Sequence, residues 1–301
     1  MMRVGALFLM LLLMEAGIVG AYPITVDGDP SDWPSELDIQ NSGISPGESG
    51  YVNGVWVFHD LSDDLNQYGG DNPGYDIKYF MITFDDTYAF FLMVLNSPAV
   101  FDSPESPLVI IALGNEQYQG GKNGFDPTIY TGSGAPWNPL GSDVQTSKVW
   151  QREIVVNLSR ISGNSIISGS NAAFWVYNSV SEGNVNSSND LAAVNYDNGV
   201  VELRVRRDEL YLQPGSGVNS FYPYALIANR TKYGTEWYTQ YYYLAMDVMS
   251  NVTTDDEVGD GKIDYSPAVD VSQVPFFGGD LSRAALVVLL VVGAILLFGR
   301  R

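Results

Sequence analysis

Three aspartates crowd the stretch ITVDGDPSDWP, residues 24–34, at spacings of two and three residues. Carboxylates set so closely suit a hard cation, and calcium takes about six to eight oxygen ligands. Asp27, Asp29 and Asp32 are therefore the candidate metal ligands, with structural calcium as the candidate cofactor. Two further readings compete for the same residues. Trp33 offers a flat apolar face on which a sugar ring can stack. Asp27-Gly28 between proline-stiffened flanks also reads as a turn closing a first β-strand begun by Ile24 and Val26, with Trp33 as an apolar lid over it. The sequence leaves the three readings open.

A second chemistry lies in the aromatic residues. A neutral polyhydroxylated ligand needs flat apolar faces for its rings, with amides or carboxylates for its hydroxyls. Trp137 is the leading candidate, because it stands in the Gly- and Pro-rich stretch 115–147, where nothing demands a core residue. Trp56, Tyr118 and Tyr130 follow it, whereas Trp150, Trp175 and Trp237 fall in apolar strand-like runs and read as core. Asn157, Asn186, Asn229 and Asn251 each open an Asn-x-Ser/Thr sequon and are the candidate glycosylation sites. DDEVGDGKID, residues 255–264, has part of a calcium-loop pattern. Val258 and Pro267 stand where two of its ligands belong, so it reads as a solvated acidic stalk.

Catalytic chemistry finds little support. The chain has no cysteine, which removes thiol nucleophiles, disulfides and zinc ribbons. His59 is the single histidine, so Ser-His-Asp arrangements have one possible base. No spacing singles out an acid pair among 35 aspartates and glutamates. The expectation is a protein that is not an enzyme.

The elements that must position these residues are β-strands. In DIKYFMITFDDTYAFFLMVL, residues 76–95, two runs of aromatic and branched residues flank Asp85-Asp86-Thr87 and predict a hairpin. Both faces of each run are apolar, which places the hairpin centrally in a sheet. Further strands are expected at 107–114, 148–158, 172–180, 199–210, 222–230 and 236–248. Val201, Leu203 and Val205 alternate with Glu202, Arg204 and Arg206, predicting one buried and one wet face. Strands at short intervals, with no long amphipathic helix between them, predict an all-β fold, an antiparallel β-sandwich.

The two ends carry targeting signals. Arg3, the run GALFLMLLLM and Val19-Gly20-Ala21 predict a signal peptide over residues 1–21. Residues 281–299 hold the uncharged run AALVVLLVVGAILLFG and predict one transmembrane anchor, closed by the cytoplasmic pair Arg300-Arg301. The β-domain then occupies 22–250 and an acidic stalk 251–280, both outside the cell. The tail also resembles the sorting tails of archaeal and bacterial surface proteins, although its VPFFGG departs from their signals. With 35 acids against 15 bases the formal charge is −20, which excludes nucleic acid as a partner.

ITVDGDPSDWP, the hairpin at 76–95 and VVELRVRRDEL, residues 200–210, together resemble the family-9 carbohydrate-binding modules and their DOMON-like relatives. The resemblance covers most of residues 22–250 and implies a jelly-roll type β-sandwich. Its further implications are a polysaccharide or oligosaccharide ligand, structural calcium, and work alongside a transporter or hydrolase. A haem-binding member of that superfamily would need His59 with a methionine. The alternative function is a structural or adhesive protein of the cell surface, in contact with a surface layer and without a small ligand.

Overall fold

A computed structural model describes residues 24–61, 75–97, 107–115, 120, 122–124, 145–181, 183–212, 217–235, 238–249, 262–263 and 268–271. The expected signal peptide, the transmembrane segment and the terminal arginine pair lie outside the described residues. Among the described residues no helix is long and apolar enough to cross a membrane.

Two sheets face one another. The smaller has seven antiparallel strands. In spatial order these are β1 (Glu48–Val52), β2 (Val55–His59), β3 (Ile77–Phe84), β4 (Tyr88–Leu95), β12 (Val200–Arg206), β11 (Leu191–Asn195) and β8 (Ser165–Ser168). The larger is ordered β10 (Gly183–Asn184), β9 (Phe174–Asn178), β7 (Gln145–Asn157), β5 (Leu108–Gly114), β13 (Ser220–Thr235) and β14 (Tyr238–Val248). Three short strands join it at the side: β6 (Lys122–Gly124) and β15 (Lys262–Ile263) on β7, and β16 (Val269–Asp270) on β13. The antiparallel sandwich expected from the strand pattern is the observed architecture, and the 76–95 hairpin is β3 and β4, third and fourth of seven.

The inner faces make the main core. Phe80, Ile82, Phe91, Met93, Val201 and Leu203 of the smaller sheet meet Val109, Ile111, Ile154, Val156, Phe174 and Ile227 of the larger. Each such side chain contributes about 1.5–3 kcal/mol when fully buried. Phe84 of β3 and Phe221 of β13 meet edge to face across the sheets, with ring centroids 5.9 Å apart.

The outer face of the smaller sheet is also apolar, because the N-terminal segment covers it. Val26, Trp33, Ile39 and Ile44 pack on Val55, Val57, Met81, Phe90 and Leu92. Helix α1 (Glu36–Asn41) supplies Ile39, and a capping box in which Ser35 and Asp38 bond each other's backbone fixes its start. The cover changes two expectations. Residues 24–26 do not form a first strand, since their neighbours' donors go to side chains: Thr25 N donates to Asp32 Oδ2 at 2.8 Å, and Gly28 N to Glu202 Oε2 at 2.6 Å. The predicted wet face of β12 is likewise partly dry, with Glu202 fully buried beneath the segment.

Within the expected stalk, 251–280, the described residues 262–263 and 268–271 lie against the domain. β16 pairs with Ser220 and Phe221, and Val269 and Val271 enter the main core. Apolar residues at 269 and 271 explain the contact, since exposing them would leave the core open beneath Phe221.

Candidate functional site

One pole of the sandwich gathers several turns. Val52-Asn53-Gly54-Val55 closes the β1–β2 hairpin in two residues, with φ of 51° at Asn53 and 93° at Gly54. Positive φ at both positions matches the right-handed twist of the strands, which is why Asn-Gly is favoured there. Thr83 Oγ1 donates to the Gly54 carbonyl at 2.8 Å, tying this turn to β3. Beyond Phe84 comes the Asp85–Thr87 turn, whose Asp85 carbonyl accepts from Arg207 Nη1 at 2.8 Å.

The hairpin register sets Tyr51 directly opposite Trp56. Their ring centroids are 5.4 Å apart and the planes are inclined by 58°. Trp56 leans on the main core while Tyr51 is 37% exposed, so the pair forms an aromatic step at the rim. Among the described residues the Trp56 indole Nε1 has no hydrogen-bond partner.

At the same pole Phe221, which meets Phe84, lines a narrow cleft with Gly114, Asn115, Gln151, Arg152 and Tyr211. Its room, about 10 Å³, suits a single water. The Arg152 guanidinium lies over the Tyr211 ring at 3.6 Å from its centroid, and its Nε and Nη1 donate to the carbonyls of Glu209 and Gln151. Tyr211 holds a left-handed backbone, φ 60°. Burial pushes its hydroxyl up, but the bond and charge of Arg152, with Asn178, outweigh burial and leave it below the usual tyrosine range. The cleft offers an aromatic wall and the Arg152 guanidinium, and among the described residues that line it no nucleophile is paired with a base.

The aromatic stretch 115–147 springs from this cleft. Gly114 pairs with Trp150, where β5 ends and β7 is under way. Asn115 N donates to Gln151 Oε1 at 2.7 Å, and Gln151 Nε2 donates to the Gly120 carbonyl at 3.1 Å. Tyr118, Tyr130 and Trp137 lie outside the described residues, yet the roots of their stretch stand at the same pole as Trp56. The sequence reading missed Tyr51, Arg152 and Tyr211. An Asn-Gly between valines was the available signal for Tyr51, because it sets the register that pairs it with Trp56.

The other candidates are placed differently. Asp27 Oδ1 accepts from Asp29 N at 2.8 Å, Asp29 Oδ1 from Ser31 N at 3.0 Å, and Asp32 Oδ2 from Thr25 N. Each carboxylate thus folds back on its own loop, and among the described residues no three acids or histidines gather as a cation site. Trp33 is 3% exposed, with its Nε1 bonded to Glu202 Oε1 at 2.7 Å, so it is the lid and has no face for a sugar. His59 packs its ring 4.6 Å from that of Tyr79, and burial holds its pKa down.

Trp150 is fully buried, as expected of a core residue, Trp175 is half-buried on the outer face of the larger sheet, and Trp237 lies outside the described residues. Among the sequons, Asn157 is 4% exposed and accepts from Ser159 Oγ at 2.7 Å, leaving a glycan no route to it in the folded domain. Asn186 spends its Nδ2 on the carbonyls of Gly169 and Phe174. Asn229 stands on β13 opposite Leu244, and Asn251 lies outside the described residues. No family model matches the chain, and no curated protein is significantly similar to it.

Proposed function

We propose that this is a non-catalytic, carbohydrate-binding surface protein, exported by residues 1–21 and held outside the cell by the anchor at 281–299. The pole bearing Tyr51 and Trp56 takes a neutral saccharide. One observation carries the reading: the aromatic step of Tyr51 and Trp56 stands at the same pole of the sandwich as the root of the stretch 115–147. Inclined rings at a rim offer apolar faces to a pyranose. An acidic chain does not oppose a neutral ligand, and it disfavours an anionic one. The resemblance to family-9 modules supports the same conclusion.

A glycan array probed with the purified full chain tests it. Binding to neutral oligosaccharides at dissociation constants on the order of micromolar to millimolar is expected. Binding to none of them leaves the structural or adhesive role in its place.

A further inference from the structure

His59, the chain's single histidine, stands where the N-terminal cover meets the smaller sheet. The Gly47 amide donates to its carbonyl at 2.7 Å, and the Ile44 carbonyl accepts from its ring. Ile44 is seated tightly, since a Cβ at Gly50 of β1 would lie 2.7 Å from its Cδ1. Ile39 and Ile44 belong to the same buried cluster as Val57 and Met81. Residues 39–47 thus rest against the imidazole, while Tyr79 closes its side with 4.6 Å between ring centroids. The ring's Nδ1 is buried, and among the described residues it has no hydrogen-bond partner. A neutral imidazole leaves that nitrogen as an unused acceptor. An imidazolium carries a proton on both nitrogens, so it would bury an unmatched donor and a charge.

The charged neighbours do not supply the missing acceptor. On β3, the Lys78 ammonium repels a proton on the ring, and it is itself held by Glu36 Oε2 of α1 at 3.0 Å. Burial holds His59 below the usual histidine range, outweighing the Ile44 carbonyl and the Glu36 carboxylate, which favour the charged ring. Asp38 of α1 is turned to Ser35. Glu48, opposite His59 on β1, accepts from Ser45 N at 2.9 Å. Asp60, next in the chain, is buried and gives its amide to the Lys78 carbonyl. The Tyr79 hydroxyl, pushed up to about 12 by burial and then by Glu36, stays neutral where histidine titrates.

We propose that His59 is an acid-sensitive latch: protonation of its ring releases residues 36–47 from the outer face of the smaller sheet while the sandwich beneath stays folded. The closed cover prefers the neutral ring, and the open one accepts the proton because water then serves Nδ1. Closure is fully stable above the free histidine pKa, about 6.5, and loses stability as pH falls from there towards the lower folded value. Release uncovers Val57 and Met81, so acid presents an apolar patch that neutral pH hides. The first part of the cover is fastened separately, by Glu202 to Asp27, Gly28 and Trp33. The inference stands apart from the saccharide reading.

Hydrogen–deuterium exchange of the purified full chain, read peptide by peptide and corrected for the intrinsic pH dependence of amide exchange, tests it. Between roughly pH 7.5 and 5, protection of residues 39–47 should fall at least about threefold while β5 and β7 keep theirs. His59→Gln cannot take the proton and should hold the protection of 39–47 constant over the same range. Should that variant fail to fold, the parent's single imidazole gives one unambiguous signal in an NMR titration. Its midpoint should lie below about 6.5 and coincide with the loss of protection. Protection of 39–47 that ignores pH, an equal loss in folded His59→Gln, a loss shared equally by β5 and β7, or an imidazole titrating at or above about 6.5 overturns the proposal.

Discussion

Trp33 donates its indole N–H to Glu202 Oε1 at 2.7 Å, joining residues 169 positions apart in the chain. The other carboxylate oxygen accepts from Asp27 N at 3.1 Å and Gly28 N at 2.6 Å. One buried acid on β12 thereby holds the N-terminal cover over the smaller sheet. Burial raises the pKa of Glu202, and these three donors pull it part of the way back.

Trp33→Phe keeps an apolar lid and removes the donor. A buried acceptor left without its partner costs about 1–3 kcal/mol, which should appear as a lower urea midpoint with an unchanged slope. Without that donor the folded pKa of Glu202 rises further. Stability linked to a raised carboxyl is complete below its unfolded pKa, about 4.3, and is lost as pH rises through the folded value. The deficit of the variant should accordingly be larger at neutral pH than in acid. Equal midpoints for parent and variant would show that the bond contributes nothing.

Glu209 gives a second pH signature, in the turn just beyond the end of β12. Burial, then the Asp190 carboxylate beside it, push its carboxyl up to about 8, against the pull of Arg206. Arg206 Nη2 meets its Oε1 at 2.8 Å. The folded protein therefore keeps a proton that the unfolded chain releases above about pH 4.3. The stability tied to that proton is present in acid and is lost as pH rises towards 8. Glu209→Gln cannot titrate. Between roughly pH 5 and 8 the melting temperature of the parent should fall more than that of the variant, and parallel profiles would remove Glu209 as the titrating group.

The β3–β4 hairpin was legible because aromatic and branched runs flank a polar turn, and each later strand candidate overlaps an observed one. The first strand was not, because Asp32 and Glu202 compete for the backbone donors of residues 25–28, a contact no local pattern announces. Burial of Glu202 was hidden for the same reason: alternation shows which residues share a face, but not what covers it. Trp56 is legible as an aromatic that can stack on a ligand, whereas its partner Tyr51 follows only from the register set by Asn53-Gly54. Arg152 lies in a strand between Gln151 and Glu153, where no spacing distinguishes a buried guanidinium from a solvated one.

Gly114 tests how the cleft supports the stretch that follows it. A Cβ there would stand 2.7 Å from the Val149 carbonyl oxygen, a backbone atom that cannot swing aside. Gly114→Ala should therefore shift the root of residues 115–147 and cost about 1–3 kcal/mol by overpacking. Thermal melts read the cost, and a variant as stable as the parent would mean that the root gives way freely.

The saccharide pole makes the sharpest demand on Tyr51. Its ring is exposed at the rim and meets Trp56 at 5.4 Å, whereas Trp56 also supports the core. Tyr51→Ala removes one apolar face while leaving the Asn53-Gly54 turn and the Trp56 packing in place. By analogy with stacking of bases on aromatic side chains, it should weaken saccharide binding by about 1–3 kcal/mol. Its melting temperature should fall only modestly, since the ring sits at the rim and loses its contact with Trp56 rather than a place in the core. Trp137→Ala should weaken binding comparably if the stretch 115–147 closes over the same ligand. Isothermal titration with an oligosaccharide that binds the parent separates the cases. Loss of affinity in both variants with both folded places the site at this pole. Unchanged affinity in Tyr51→Ala, with Trp137→Ala impaired, moves the site onto the stretch alone. Unchanged affinity in both removes this pole as the saccharide site.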